Sequence, residues 1–79
     1  MEAYQQAFGL RIRQLRDQQG YTQEELAHRA RIHVTYLSGI ERGVRNPSLR
    51  SIRALARALG VRVGKLFAFE WPPPSSGSR

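Results

Sequence analysis

The sequence predicts an all-α fold of five short helices. Apolar residues recur three and four positions apart along most of the chain, which is the spacing of one helix face. Glycines separate these stretches, and no segment alternates apolar and polar residues for long enough to form a strand. The chain has 79 residues, so we expect one small domain over residues 1–71. Residues 72–79 are rich in Pro and Ser and are expected to be a disordered tail.

The first two helices follow from apolar spacing and from a capping motif. A helix is predicted over about residues 4–19, because three apolar side chains recur on one face: Phe8, Ile12 and Leu15. Gly20 then ends this helix. Thr22 and Glu25 have the spacing of a capping box, in which each side chain binds a backbone N–H that the helix leaves unpaired. The inner face of this second helix is small and apolar: Leu26, Ala27 and Ala30.

Three further helices are predicted after a break at residues 31–33. The third covers about Val34–Arg42, with an inward-facing pair three residues apart, Leu37 and Ile40. Ser48 is a good N-cap for the fourth helix, Leu49–Leu59. The expected buried stripe of this helix is Leu49, Ile52, Leu55, Ala56 and Leu59. Four apolar residues indicate a short fifth helix: Val61, Val63, Leu66 and Phe67.

Positive charge is concentrated in the second half of the chain. Thirteen Lys and Arg residues outnumber six Asp and Glu residues, for a net charge of +7, and twelve of the thirteen are arginine. Residues 29–65 contain nine cations and one acid, Glu41, which is a net +8. The planar guanidinium of arginine suits phosphates and guanine edges, and such a field attracts a polyanion. This distribution favours a nucleic-acid partner over a merely solubilising role.

The sequence contains no residue pattern for metal binding, catalysis or membrane insertion. The chain has no cysteine, which excludes disulfides and thiolate metal sites, and His28 and His33 are too few for a structural zinc site. Paired carboxylates, a nucleophile beside a base and a glycine-rich phosphate loop are all missing, so we expect neither an enzyme nor a cofactor. No apolar run of about 20 residues and no signal peptide are recognisable. We therefore expect a cytoplasmic protein that binds no metal and no membrane.

Two short helices joined by about three residues describe a helix-turn-helix, and the motifs around them resemble a known family. Three stretches, Thr-Gln-Glu-Glu-Leu-Ala at 22–27, Thr-Tyr-Leu-Ser-Gly-Ile-Glu-Arg-Gly at 35–43 and Asn-Pro-Ser at 46–48, are similar to the lambda-repressor-like (XRE-type) DNA-binding domain. The resemblance covers about residues 8–67. Within the family the chain looks like the controller proteins of restriction–modification systems, although short phage and plasmid regulators share the segment. The resemblance implies a sequence-specific transcription regulator that binds double-stranded DNA.

In such a fold the third helix lies in the major groove, and the side chains near its start meet base edges. The resemblance implies base contacts by Val34, Thr35, Tyr36, Ser38 and Arg45, and Gly39 would allow close approach. Phosphate contacts are expected from Gln23, Arg42, Asn46, Ser48 and Arg50, with Arg45 able to reach a phosphate instead of a base. Tyr36 could instead pack on the rim of the core, and Gln23 could be an ordinary surface residue. On the fourth helix, Arg53 and Arg57 are expected on a solvated face.

The resemblance also implies a partly buried ion pair between Arg16 and Glu41, which would explain the lone acid in the basic stretch. Two features depart from the family pattern. Glycine is usual where Arg31 stands, and the imidazole of His33 caps the third helix poorly. In addition, controller proteins often have arginine where Val34 stands, so the base sequence of the operator does not follow from the resemblance.

A homodimer is expected, because so small a chain without disulfides has little core of its own. The aromatic residues Phe67, Phe69 and Trp71 are too large a cluster for that core to bury and are expected at the dimer interface. The rest of the interface would comprise Leu59, Val61 and Val63. A two-fold dimer would bind a palindromic operator, with its recognition helices about 34–36 Å apart. RNA polymerase is a further candidate partner if binding activates transcription.

Two other functions are compatible with the same fold. An antitoxin or a co-activator would use the domain as a protein-interaction module, but the arginines that follow the third helix are not needed for that role. Binding of single-stranded RNA is disfavoured, because no aromatic platform for stacked bases is recognisable.

Overall fold

The computed structural model describes residues 2–72, and within this range it contains helices and no strand. The helices are α1 (Ala3–Gln19), α2 (Gln23–Ala30), α3 (Val34–Arg42), α4 (Leu49–Leu59) and a 3-10 segment, Val63–Phe67. The all-α class is therefore confirmed, with the difference that the predicted fifth helix is a 3-10 segment. The disordered tail was predicted for 72–79, of which 73–79 lie outside the described residues. No helix in residues 2–72 is long and apolar enough to cross a membrane.

Local signals set the helix ends. The capping box at the start of α2 is complete: the Glu25 N–H donates to Thr22 Oγ1 at 3.0 Å, and the Thr22 N–H donates to Glu25 Oε1 at 2.8 Å. Helix α2 ends at Ala30 and is followed by the C-cap residue Arg31, whose backbone is left-handed, with φ 59° and ψ 42°. A left-handed backbone costs a residue other than glycine about 1 kcal/mol. The side chain of His33 makes no capping hydrogen bond to α3, so one first-turn N–H there lacks the usual side-chain acceptor.

The core is built from side chains of all four helices and of the 3-10 segment. Helix α1 packs across α3, α2 packs against α3 and α4, and the 3-10 segment closes the end between α1 and α4. The largest fully buried side chains are Ile12, Leu26, Leu37, Ile40, Leu55, Leu59 and Leu66. At the crossing of α1 and α3, a Cβ on Gly9 would lie 2.6 Å from the carbonyl oxygen of Glu41. Glycine at position 9 therefore lets the two helices touch along their backbones.

Leu49 does not belong to the buried stripe in which the sequence placed it. Its side chain is 80% exposed, whereas Ser51, Leu55 and Leu59 of the same helix are buried. Successive residues of an α-helix are about 100° apart. Leu49 lies only about 20° around the helix from Ala56, which is buried. It is, however, the first residue of α4, and at that end of the helix the described chain leaves it uncovered.

Candidate nucleic-acid interface

Helices α2 and α3 and the three residues between them form a helix-turn-helix that presents the start of α3 to solvent. The inner side of α3 is buried through Leu37 and Ile40. On its outer side Thr35 is exposed, and Val34 and Ser38 are half-buried. The hydroxyl of Thr35 and the methyl groups of Val34, at the protruding end of α3, can contact base edges in a major groove.

Arg45 is held against this outer side by the turn that follows α3. The backbone N–H groups of Val44 and Arg45 donate to the carbonyl of Gly39 at 2.9 and 3.2 Å, which folds the chain back over the helix. A Cβ on Gly39 would collide with Cγ of Arg45 and lie 3.4 Å from its Cβ. Gly39 thus makes room for the Arg45 side chain, in addition to any approach of DNA. Sequence reasoning missed this contact, because the six-residue separation carries no motif.

Tyr36 joins α3 to the start of α4. Its hydroxyl accepts from the Ser48 backbone N–H at 3.2 Å and from Ser51 Oγ at 3.2 Å, and its ring packs at the edge of the core. Burial raises the pKa of this phenol, but the hydrogen bonds from Ser51 and Ser48 and the charge of Arg45 outweigh burial, so the pKa lies below its ordinary value. Because both bonds are accepted, the Tyr36 proton remains free to donate outward. Tyr36 is therefore a rim residue with one donor left.

Ser48 has a structural role at the start of α4. Its Oγ accepts from the Ser51 N–H at 3.1 Å and donates to Ser51 Oγ at 3.0 Å, while its own N–H is bound by Tyr36. Both donors of Ser48 are therefore used inside the domain. The phosphate contact that the sequence predicted for Ser48 stays a prediction, and it would require one of these donors to change its partner.

Glu41 is the centre of a buried polar cluster. Its Oε2 accepts from Arg16 Nε at 2.7 Å, and its Oε1 accepts from Arg16 Nη2 and from Gln23 Nε2, both at 3.0 Å. Arg16 also donates from Nη1 to the Tyr21 carbonyl at 2.9 Å. The hydrogen bonding that Arg16 donates to Glu41 is the main cause that raises the pKa of Arg16 above its ordinary value. The Gln23 side chain is thereby fixed at the start of α2, with one amide hydrogen still free.

The cations expected to contact phosphates lie on the surface without acidic partners. Arg42, Arg45 and Arg50 are all exposed, as is the neutral Asn46. Within residues 2–72, the ion pairs are those of Arg16 with Asp17 and Glu41. Because no carboxylate of the described chain neutralises these three arginines, they are available to an anion.

A second surface is aromatic and lies on α1 and the C-terminal segment. We call Tyr4, Phe67, Phe69 and Trp71 the aromatic surface. The Tyr4 ring lies 5.0 Å from that of Trp71 and 5.3 Å from that of Phe69. Tyr4, Phe67 and Trp71 are each at least one-third exposed. Sequence reasoning missed Tyr4, although it precedes Phe8 by one helical turn.

The residues predicted for a dimer interface divide into three groups. Phe67, Trp71 and Val63 are exposed, and Val61 and Phe69 are half-buried against the core. Leu59 is only 2% exposed, and its carbonyl accepts from Gln19 Nε2 at 3.0 Å. The prediction was wrong for Leu59, because α1 and the core of the same chain already cover it.

Comparison with known proteins agrees with this geometry. Residues 12–66 match the helix-turn-helix family, so the chain belongs to this family, a class of DNA-binding transcription regulators rather than of enzymes. It is 44% identical over 63 residues to the control protein C.BamHI of Bacillus amyloliquefaciens, which covers 78% of either chain. Its structure is similar to that of the restriction–modification controller protein C.AhdI from Aeromonas hydrophila, with a TM-score of 0.83, 42% identity and coverage of 84% of this chain and 100% of that one.

A third relative has been solved together with DNA. The controller protein C.Esp1396I, as a tetramer in complex with its natural 35 base-pair operator, has a TM-score of 0.78 to this chain and 31% sequence identity. The match covers 85% of this chain and 88% of that one.

Proposed function

We propose that this protein regulates transcription by binding a two-fold symmetric DNA operator as a homodimer, and that its targets are the genes of a restriction–modification system. The observation that carries the proposal is the exposed start of α3 beside Arg45, an arginine with no acidic partner in the described chain. The three relatives reported above, all control or controller proteins, support the choice of target. They give no comparable support to an antitoxin or a co-activator.

Helix α3 would enter the major groove and divide its contacts between bases and phosphates. Thr35 can donate to or accept from a base, Val34 can pack on a thymine methyl, and Arg45 can bind a guanine edge with two hydrogen bonds. Ser38 and the free proton of Tyr36 would supply further contacts. The duplex backbone would be held by Gln23, Arg42, Asn46 and Arg50.

The homodimer would form through the aromatic surface together with Val63. Exposed apolar patches of this kind mark partner surfaces, and the surface shares no residue with the predicted DNA contacts. Replacing Trp71 with Arg should shift the protein to a monomer in equilibrium sedimentation at tens of micromolar, because a charge would be buried at the interface. The matched control is Leu49→Arg, which adds the same charge at an exposed leucine outside the surface. A monomeric wild-type protein would contradict this part of the proposal.

The test of the whole proposal is selection of bound duplexes from a random DNA pool at near-physiological salt. We expect a two-fold symmetric motif, bound at least ~10³-fold above random duplex. Thr35→Ala should then relax the preference at one base position in each half-site, whereas Arg50→Gln should weaken all duplexes alike. If no motif is enriched and affinity collapses as salt rises, binding is only electrostatic, and the proposed function is wrong.

RNA polymerase would be a second partner only if binding activates transcription. A run-off transcription assay on the selected operator separates the two cases, since a repressor lowers the transcript and an activator raises it. In either case we infer that the protein acts in the cytoplasm, where the DNA of a bacterial cell lies.

A further inference from the structure

Four arginines line one groove between the end of α2 and the side of α4. The groove has a volume of about 350 Å³ and is lined by Ala30, Arg31, Ile32, Arg50, Ser51, Arg53, Ala54 and Arg57. We call this the arginine groove. No acid is among its lining residues, and in the described chain none of the four arginine side chains makes an ion pair or a hydrogen bond.

The arginine groove is a site of unbalanced charge rather than an ordinary solvated face. Arg50, Arg53 and Arg57 are spaced three and four residues apart on one side of α4, so their like charges repel. Arg31 adds a fourth charge from the opposite wall, at a backbone position that glycine would occupy more easily. An anion with several charges would relieve this repulsion.

The arginine groove is continuous with the proposed DNA interface. Arg50, which closes one end, is also an expected phosphate contact, and Ile32 on the other wall precedes the start of α3 by two residues. From Arg50 the groove follows α4 to Arg57, a rise of about 10 Å. One strand of a DNA duplex carries one charge per about 3.4 Å of the duplex axis, so about three phosphates of that strand could lie along this length. The groove shares no residue with the aromatic surface, so dimerisation there would leave it open.

We propose that the arginine groove binds phosphates of the DNA duplex outside the operator half-site, without regard to base sequence. Arg50 is the end of the groove nearest the operator, and Arg53 and Arg57 lie farther along α4, so phosphates bound by these two residues would lie beyond those that Arg50 contacts. This inference rests on the proposed function, because it requires α3 to lie in the major groove. It would make operator affinity depend on the length of the flanking duplex.

The experiment compares two duplexes that carry the same selected operator. One ends at the operator, and the other extends it by about ten base pairs of unrelated sequence on each side. The wild-type protein should bind the extended duplex more tightly at 50 mM salt. Between 50 and 200 mM salt that advantage should fall on the order of 3-fold for each phosphate contact in the groove.

The variant Arg53→Gln/Arg57→Gln removes two groove charges that are not among the expected operator contacts. It should bind the minimal operator within about two-fold of wild type and lose the preference for the extended duplex. Arg53→Lys/Arg57→Lys keeps the charge and should retain the preference. Arg13→Gln/Arg62→Gln removes the same charge at exposed residues outside the groove and should also retain it.

Three outcomes would overturn the inference. The wild type could bind both duplexes equally, or Arg53→Gln/Arg57→Gln could weaken both duplexes by the same factor. Alternatively, inorganic tripolyphosphate could bind through Arg53 and Arg57 while flanking DNA has no effect, which would make the groove a site for free anions. In all three cases specific operator binding survives. Failure of the proposed function is different, because the wild type would then prefer no operator at all.

Discussion

Arg16 and Glu41 are joined by two parallel hydrogen bonds, 2.7 and 3.0 Å long, between the last turn of α1 and the end of α3. The side chains are 11% and 3% exposed, so both charges are largely removed from water. The same carboxylate also holds the side chain of Gln23 at the start of α2. One acid thus fixes three helices and one expected phosphate contact.

Replacing Glu41 with Ala should unfold most of the protein. The buried guanidinium of Arg16 would lose its partner, which typically costs about 3–5 kcal/mol in the free energy of unfolding. Urea denaturation followed by circular dichroism measures this loss. The control is Asp17→Ala, because Asp17 lies 3.6 Å from Arg16 but is 62% exposed, and an exposed pair contributes at most about 1 kcal/mol. If the two variants lost the same free energy of unfolding, burial would not determine how much an ion pair of Arg16 stabilises the protein.

Gly39→Ala should reduce operator binding without unfolding the domain. The added Cβ would displace Arg45, whose Cγ occupies that space, while alanine itself favours the helix by about 1 kcal/mol. Arg45→Ala should lower operator affinity by on the order of 10-fold, the value of a good arginine contact with a base. The double variant should bind no worse than Arg45→Ala. Additive losses in this cycle would mean that Gly39 acts independently of Arg45.

Gly9→Ala should destabilise the crossing of α1 and α3. Its Cβ would be forced against the carbonyl oxygens of Ile40 and Glu41, which are backbone atoms and cannot rotate away. We expect a loss of about 3 kcal/mol in the free energy of unfolding, at the upper end of overpacking effects. Gly64→Ala is the matched control, since nothing lies within 4 Å of a Cβ there. Thermal melts of the two variants should therefore separate clearly, and coincident melts would contradict the close helix approach.

The contribution of Tyr36 to stability should grow as the pH approaches 10. The folded state lowers the pKa of this phenol below 10.0. The ionised form of Tyr36 is therefore more favourable in the folded protein than in the unfolded chain. A lowered pKa begins to stabilise the folded state when the pH rises above the pKa of the folded protein. The stabilisation is complete only when the pH is also above the pKa of the unfolded chain. The difference in free energy of unfolding between wild type and Tyr36→Phe should thus rise with pH in the window just below 10.0. A constant difference would show that Ser48 and Ser51 do not stabilise the phenolate.

Sequence patterns predicted most of the helix boundaries in this protein, because the signals are local. Thr22 and Glu25 complete a capping box within one turn, and Gly43 adopts the left-handed backbone that ends α3. The bounds of α3 and α4 agree with those expected from the sequence. Such signals act between residues at most four positions apart, so no tertiary contact is needed to read them.

Some errors arose where a residue type suits two environments. Leu49 and Leu59 both fit the apolar pattern of α4, yet one is 80% exposed and the other 2%. Hydrophobicity alone does not indicate which part of a helix another helix covers. The phosphate contact of Ser48 stays a prediction, and only the position of Tyr36 shows that the Ser48 N–H is already bound within the domain.

The sequence by itself determined the helical class, the helix-turn-helix and the concentration of positive charge, since these depend on residue types and short spacings. The tertiary structure decided which residues share a site. Gln23 meets Glu41 across 18 positions, and Arg31 meets Arg57 in one groove across 26. Separations of this size have no spacing rule, because the packing angles of whole helices, and not the period of any one of them, bring such side chains together.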